Sequence, residues 1–266
     1  TLAIIRRLRE KNLVVGAAVG PFDDERVKQL VDSDVSIIVI DTAHGYSKNV
    51  IDATRRYSQY SVPIMAGNIV TGEAARTLIE AGASSLRVGV GPGHACTTRE
   101  IAGVGMPQLT AIADVADVAV ENGVSVVADG GIEKPADVVK ALAIGADAVM
   151  LGYLLAGTHE APGAVVYREG RCYKVYRGMG SRGALRKGST RYGEFKRVPE
   201  GVEGLVECRG SARSVVEWIV GGLIQGMGYV GARNLSELRE RARFVKLLPG
   251  GFKETGPRGF VGKITY

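Results

Sequence analysis

The chain has 266 residues, enough for one large α/β domain or two small ones, and 45% of them are hydrophobic. Glycine is abundant at 37 residues and aromatic residues make up 6%, a mixture that suits βα turns and branched aliphatic packing better than a β-sandwich. The net charge of +6 would suit nucleic acid or a small anionic substrate. Because no dense run of lysine and arginine occurs, nucleic acid is disfavoured as the main partner.

The three cysteines, Cys96, Cys172 and Cys208, have no CxxC spacing and are odd in number. Neither a disulfide framework nor a zinc site is therefore indicated, and a reducing cytosol fits best. No apolar run reaches the length of a membrane helix, and no signal peptide opens the chain. We therefore expect a cytoplasmic protein that has no membrane partner.

A helix is predicted over residues 3–11, and a repeating unit of apolar strand, turn and amphipathic helix follows from about residue 12 to 155. The predicted strands cover residues 13–19, 35–41, 62–67, 85–89, 124–129 and 146–151. The predicted helices between them include residues 24–33, 48–57, 72–81, 112–122 and 135–144. Most of these strands are apolar nearly throughout, which is typical of a parallel sheet that helices cover on both faces.

The pattern changes after residue 155. A hairpin strand is predicted at 169–176, a charged mobile flap at 187–200, closing helices at 211–226 and 234–243, and a glycine-rich basic tail at 244–266. We interpret residues 1–266 as one β/α domain. Its strand–helix units (12–155) are followed by the hairpin, flap and closing helices (156–243) and by the tail (244–266).

Polar residues or glycines stand where the predicted strands end. They are Asp41 and His44, then Asn68, then Arg87 and Cys96, then Asp129 with two glycines, then Gly152. In a β/α barrel or a doubly wound sheet, those ends share one face and surround one ligand. A single aspartate there is often only a helix cap or a turn former, but five strand ends in succession indicate a binding site.

The glycine-rich stretch at residues 88–98 follows the predicted strand at 85–89 and contains Cys96. Gly89, Gly91 and Gly93 allow the backbone to approach a ligand closely. A thiol on such a loop, at the end of a strand and beside two threonines, suits a nucleophile. The alternative is a small buried hydrophobic residue, which is the usual role of a free cysteine.

Two further glycine-containing turns suit a phosphate. Residues 129–132 (Asp-Gly-Gly-Ile) and the pair Leu151–Gly152 are typical of a cradle made of backbone N–H groups from the last two βα loops. The alternative is a pair of tight turns that need glycine for conformational reasons alone.

Six motifs carry a resemblance to a known family. They are GPGHACTTR at 91–99, ADGGI at 128–132, MLGYLLAGT at 150–158, YRGMGS at 176–181, RY at 191–192 and GMGYVGA at 226–232. With them the chain resembles an IMP dehydrogenase and is similar to the sister enzyme GMP reductase, from about residue 12 to the C-terminus. The resemblance implies an α/β fold, the parallel (β/α)8 TIM-type barrel, of which about six units are visible here. It also implies a catalytic domain, usually a homotetramer, that oxidises IMP to XMP with NAD in GMP (purine) biosynthesis and is activated by potassium.

The resemblance implies roles for the matching positions. Cys96 would attack carbon 2 of the hypoxanthine ring, and hydride transfer to the nicotinamide would leave a covalent thioimidate. On the cofactor side, Asp41 would hold the NAD ribose, Asn68 and Arg87 would line the reacting face, and Gly89 would lie beside them. The substrate-binding residues would be Asp129 at the ribose, Gly131, Gly152, Tyr153 and Tyr176 at the phosphate, and Met179, Gly180 and Glu200 at the base.

The flap and the metal site follow from the same resemblance. Arg191 and Tyr192 would enter the site after NADH leaves, and Arg191, with Thr98 and Tyr192, would activate the hydrolytic water. Potassium would be bound by Gly91, Gly93 and Cys96, with Glu254, Thr255 and Gly256 of a neighbouring subunit. A reductase, which deaminates GMP with NADPH, does not need the hydrolytic pair, so its presence favours the dehydrogenase over that alternative.

Two departures from the family pattern stand out. His94 and Tyr153 occupy positions where the family usually has serine, which changes the expected phosphate contacts. About six strand–helix units are counted, whereas the family barrel has eight and usually carries CBS modules after its second unit. The first two units either precede this sequence, which we favour, or lie on another chain, or are absent from a non-catalytic nucleotide-binding relative.

Overall fold

The computed structural model describes residues 1–186 and 198–256, apart from the side chains of residues 252–254. Its central sheet has six parallel strands that pair in chain order. The strands are β1 (Gly16–Val19), β2 (Ile37–Asp41), β3 (Ile64–Ile69), β4 (Ser85–Val88), β5 (Ser125–Asp129) and β6 (Ala148–Met150). The accompanying helices are α1 (Leu2–Arg9), α2 (Asp24–Val31), α3 (Lys48–Tyr57), α4 (Gly72–Glu80), α5 (Thr98–Ile101), α6 (Gln108–Glu121), α7 (Pro135–Ala143) and α8 (Tyr153–Ala156).

The six strands curl into a half-barrel, which confirms the predicted fold class as a partial TIM-type barrel. Every residue of β4 is buried, and Leu86, Ile38 and Ile64 are at most 1% exposed. Strands buried on both faces explain the nearly continuous apolar runs in the sequence. Burial of each such side chain stabilises the fold by about 1.5–3 kcal/mol. Among the described strands, β1 and β6 each have one paired neighbour, so the sheet is open at both ends.

The segment after β6 forms a second, antiparallel sheet of three strands. They are β7 (Val165–Arg168), β8 (Arg171–Arg177) and β9 (Glu203–Glu207). The hairpin strand predicted at 169–176 therefore begins two residues later, as β8. Glu169 and Gly170 instead form the turn between β7 and β8, with left-handed φ of 49° and 74°. The remaining elements are α9 (Arg182–Arg186), α10 (Ala212–Tyr229), α11 (Leu235–Arg241) and a 3-10 helix (Pro249–Glu254), with α10 packed on α7.

The expectation that no disulfide forms was wrong. Cys172 in β8 and Cys208, just after β9, are joined by a disulfide, with their Cα atoms 5.5 Å apart. The antiparallel register places Tyr173 opposite Glu207, which brings the two cysteines together at the end of the strand pair. They are 36 positions apart in sequence, so their spacing gave no signal of this cross-strand pairing. Cys96 is the remaining, free cysteine.

Several element boundaries differ from the predictions. β1 begins at Gly16 rather than at residue 13, and Leu13 and Val14, which lie outside it, are 49% and 83% exposed. Helix α6 begins at Gln108, directly after Pro107, four residues before the predicted start. Within the described part of the chain, no helix combines the length and the apolar character needed to cross a bilayer.

Candidate active site

A cavity of about 340 Å³ lies at the carboxyl ends of the strands. Loops that follow β2 to β6 line it on one side, and β8 and the segments after it line the other. Its lining residues are Thr42, Ala43, Asn68, Arg87, Gly89–Gly93, Ala95, Cys96, Thr98, Asp129, Gly130, Met150–Gly152, Tyr176, Gly178–Gly180 and Glu200. Because parallel strands end on one face, residues distant in sequence meet around this cavity. Its volume is in the range of small-molecule sites.

Cys96 is half-buried and is the first member of a hydrogen-bonded series. Its thiol donates to Thr98 Oγ1 at 3.2 Å, and the Thr98 hydroxyl donates to Glu200 Oε2 at 2.9 Å. A hydroxyl both accepts and donates, so this series can carry a proton from the thiol to a carboxylate. The arrangement suits a nucleophile that must be deprotonated before it attacks, and it does not match the alternative of a buried hydrophobic cysteine.

Backbone contacts hold the Cys96 loop against the segment that carries Glu200. The amide of Thr97 donates to the Glu200 carbonyl at 3.1 Å, and the amide of Val202 donates to the Ala95 carbonyl at 2.9 Å. Cys96 and Gly201 form an antiparallel bridge between them. The thiol and the carboxylate are therefore brought together by the main chain, although their residues are about a hundred positions apart.

Arg87 is the centre of a buried polar network beside the thiol. Its guanidinium pairs with Asp41 Oδ1 and donates to Asn68 Oδ1, and its Nε lies 3.3 Å from Asp129 Oδ2. The Asn68 amide donates to the carbonyl of Gly89 at 2.7 Å and to Asp129 Oδ2 at 2.9 Å. Paired and hydrogen-bonded in this way, the charges can be buried without an unsatisfied group, and the network fixes the ends of four strands relative to one another.

The glycines of the cavity wall allow close approach of the backbone. At Gly89, φ is 144°, and an added Cβ would lie 2.1 Å from the carbonyl oxygen of Asp129. No side chain could be placed there without separating β4 from β5. Gly131 and Gly152 are exposed at the same end, so their amides are accessible to an anion.

Tyr176 of β8 closes the cavity on the side of Gly152. Burial, together with the nearby Asp129 and Tyr153, raises its pKa above the ordinary value for tyrosine. The hydroxyl therefore stays protonated at neutral pH and can donate a hydrogen bond. A wider opening of about 830 Å³ adjoins the cavity and shares Gly152, Tyr176 and Met179 with it.

The structure brings most of the predicted site residues together. Those that line the cavity are Cys96, Thr98, Asn68, Arg87, Gly89, Asp129, Gly152, Tyr176, Met179, Gly180, Glu200, Gly91 and Gly93. Asp41 lies behind the wall, 7% exposed and paired with Arg87. Gly131, Tyr153, Thr255 and Gly256 are described but are not among the residues that line it. Arg191, Tyr192 and the side chain of Glu254 lie outside the described residues.

Sequence reasoning missed several residues of the site. Thr42 lines the cavity and donates from Oγ1 to the carbonyl of Gly67 at 2.7 Å, and Met150 lines it below the Arg87 guanidinium. Their positions next to Asp41 and at the end of β6 were the available signals. Arg209 lies over the ring of Tyr153, with 4.9 Å between its Cζ and the ring centroid, and nothing in the local sequence indicated that contact.

Comparison with known proteins places this site in a family. The model of the IMP dehydrogenase / GMP reductase domain matches residues 5–258. The chain belongs to the IMP dehydrogenase / GMP reductase family. The residues that match the family model therefore include the strand-end cavity and both sheets described above.

Individual relatives agree with the family assignment. The chain is 54% identical to an inosine-5'-monophosphate dehydrogenase of Aquifex aeolicus, over 91% of this chain and 51% of that protein. It is 48% identical to that of Methanocaldococcus jannaschii, over 96% of this chain and 55% of the relative. A solved GMP reductase variant of Trypanosoma brucei, in complex with guanosine 5'-monophosphate, matches with a TM-score of 0.88 and 44% identity, over 94% of this chain and 53% of that one. The chain thus spans about half the length of the relatives it matches.

Proposed function

We propose that this chain supplies the nucleophile and most of the nucleotide site of an IMP dehydrogenase, which converts IMP to XMP with NAD in GMP biosynthesis. The observation that carries the proposal is the position of Cys96, in the same cavity as Asp129 and Gly152 and hydrogen-bonded through Thr98 to Glu200. The relatives named as inosine-5'-monophosphate dehydrogenases, at about half sequence identity, support it.

The proposed chemistry begins with loss of the Cys96 proton through Thr98 to Glu200. The thiolate forms a bond to carbon 2 of the hypoxanthine ring, and the hydrogen at that carbon departs as hydride. NAD supplies the hydride acceptor. Water then adds to carbon 2 of the thioimidate, its proton is removed, and the carbon–sulfur bond breaks to release XMP and the Cys96 thiolate, which takes back a proton through Thr98 from Glu200. Arg191 and Tyr192 remain the predicted groups for activating that water.

The residues around one end of the cavity fit a nucleotide. Asp129 has a carboxylate oxygen at the rim for ribose hydroxyls, and the amides of Gly131 and Gly152, with the protonated Tyr176 hydroxyl, can meet a phosphate. Met179 and Gly180 line the side where the base would lie, next to Glu200.

The fit to NAD is partial. Asn68, Arg87 and Gly89 line the cavity on the cofactor side, as the proposal needs. Asp41 is buried and already paired with Arg87, so in this structure it holds the guanidinium and does not present its carboxylate to a ribose. Its direct role in NAD binding stays a prediction.

Potassium is proposed on the carbonyl groups of the Cys96 loop. Main-chain carbonyls of Gly91, Gly93 and Cys96 are oxygen donors on one loop, which suits a hard monovalent cation. The Gly93 carbonyl accepts the Cys96 amide at 3.0 Å, and its second lone pair is available to a cation. The ligands proposed from a neighbouring subunit, at residues 254–256, follow from the family and from an expected homotetramer.

GMP reductase is the second candidate. The GMP reductase variant of Trypanosoma brucei in complex with guanosine 5'-monophosphate superposes with a TM-score of 0.88. The thiol, hydroxyl and carboxylate of Cys96, Thr98 and Glu200 would serve a deamination at the same ring carbon equally well, with NADPH as the reductant. We also propose that residues 1–266 form one catalytic domain that acts in the cytoplasm.

The deciding experiment compares the two reactions in the complete protein. With IMP, NAD and potassium, a dehydrogenase produces absorbance at the NADH wavelength, and Cys96→Ala abolishes it. With GMP and NADPH, a reductase consumes NADPH. Thr98→Val is the matched variant, because it removes the hydroxyl that links thiol and carboxylate while keeping the volume. Tight IMP binding without turnover in either assay would contradict both enzymes and favour a non-catalytic nucleotide-binding relative.

A further inference from the structure

A cluster of rings and charges lies directly behind the cavity wall. The ring of His94 stacks on that of Tyr153, with centroids 4.0 Å apart and planes 6° from parallel. His94 Nε2 is 2.9 Å from Glu133 Oε1, and the Arg209 guanidinium also lies over the Tyr153 ring. Tyr176 meets Tyr153 edge-on at 6.3 Å. These residues come from five separate elements, namely the loops after β4, β5 and β9, helix α8 and strand β8, so the cluster ties the Cys96 loop to the rest of the barrel face.

Neither stacked ring belongs to the cavity lining, among the residues that the structure describes. Their chain neighbours do: Gly93, Ala95 and Cys96 flank His94, and Gly152 precedes Tyr153. The stacked pair therefore supports the cavity wall from behind, whereas Tyr176, at the edge of the cluster, lines the cavity. Such a position suits a residue that sets the geometry of the site, since a residue meant to touch a ligand would face the cavity.

The turn that presents Cys96 has His94 at its centre. The Cys96 amide donates to the Gly93 carbonyl at 3.0 Å, so His94 and Ala95 are the two middle residues of this turn. Downstream of the turn, the backbone is held by Glu200 and Val202. Upstream of it, the Pro92 ring lies close to Gly130, and His94 makes a further lateral contact through its own ring.

We propose that the stacked pair His94–Tyr153 is a positioning device that holds the Cys96 thiol in line with Thr98 and Glu200. The thiol then keeps its 3.2 Å contact with Thr98 because the loop is held on both sides, by backbone pairing at residues 200–202 and by the ring stack. Parallel aromatic contacts contribute beyond simple burial, and the Glu133 bond fixes the orientation of the imidazole ring. The inference concerns the nucleophile of the proposed function.

The test measures how fast iodoacetamide alkylates Cys96 in this chain under non-reducing conditions. All three cysteines are described, and Cys172 and Cys208 are in a disulfide, so Cys96 is the free thiol that reacts. His94→Ala and Tyr153→Ala release the loop, and we expect the alkylation rate at alkaline pH to rise by roughly twofold to tenfold. Tyr153→Phe keeps the stack and should restore the parent rate. Tyr167→Ala, on a 74% exposed aromatic residue of β7, is the control for general destabilisation.

A double-variant cycle separates positioning from loss of fold. Thr98→Val should change the rate of alkylation in the parent chain, because the thiol donates to Thr98, which in turn donates to Glu200. In the His94→Ala background, Thr98→Val should have no further effect, since the thiol is already out of line. Parent-like alkylation of both alanine variants, a Tyr153→Phe variant as altered as Tyr153→Ala, or a Thr98→Val effect that persists in full would overturn the proposal. No purine is used, so failure of IMP turnover would leave this result unaffected.

Discussion

Removal of the Cys172–Cys208 disulfide gives the most quantitative prediction. The bond joins residues that are 36 positions apart, and the segment that it closes includes most of β8 and all of β9. In the chain-entropy description, a loop of this length removes about 13 cal/mol/K from the unfolded chain, which is about 4 kcal/mol at 25 °C. Since unfolded chains retain some structure, we expect Cys172→Ser/Cys208→Ser to lower the free energy of unfolding by about 2–4 kcal/mol.

Urea unfolding followed by circular dichroism measures this change. The midpoint should fall in the double variant, and adding a reducing thiol should lower the midpoint of the parent chain by the same amount while leaving the variant unaffected. Cys96→Ser is the matched control, because Cys96 is free and its replacement leaves the disulfide intact: this variant should keep the parent midpoint and should respond to the reductant as the parent does. A double variant as stable as the parent would show that the pairing does not cross-link the folded chain, and the reasoning from strand register would fail.

Two further predictions concern buried groups. Lys174 is 4% exposed, and its ammonium donates to three carbonyls in the loop 158–161. In urea titrations, Lys174→Met should lower the free energy of unfolding by about 3 kcal/mol, because it leaves these carbonyls without their donor. Lys28→Met, at an exposed lysine, is the control and should leave the free energy of unfolding unchanged. Burial, with the charge of Asp24 next in size, raises the pKa of Tyr57 to about 12. Because the unfolded chain loses that proton near pH 10, the contribution of Tyr57 to stability should be constant below pH 10 and should be lost between there and about pH 12. Thermal midpoints measured against pH should lack this component in Tyr57→Phe, and equal slopes in the two chains would contradict the assignment.

The elements that the sequence predicted well are those defined by local pattern. Helix α3 runs over Lys48–Tyr57 as predicted, since its apolar residues recur at helical spacing and Ser47 precedes it in extended conformation. The six strands were recognisable as apolar runs because most of their residues are buried, whichever face of the sheet they occupy. The start of α6 was placed four residues too late, although Pro107 marks the boundary and Leu109 and Ala111 already belong to the buried face of the helix.

What could not be predicted depends on contacts between distant segments. The disulfide requires the register of β8 against β9, and the His94–Tyr153 stack requires the loops after β4 and β6 to meet. Neither is encoded in the spacing of the residues involved. The positions of the candidate site residues were recoverable because strand ends converge in any parallel barrel, whereas their hydrogen-bond partners were not.

The contacts around Cys96 are of two kinds: main-chain contacts that position its loop, and side-chain contacts that can carry its proton. The pairing of residues 95–97 with residues 200–202 uses main-chain groups, so a replacement of the Thr98 side chain leaves it in place. The proton path uses the side chains of Thr98 and Glu200, which a single substitution removes. A Thr98→Val chain should therefore keep Glu200 docked beside the thiol while losing the hydroxyl between them. Any change in Cys96 reactivity in that variant can then be attributed to the missing proton path and not to a displaced loop.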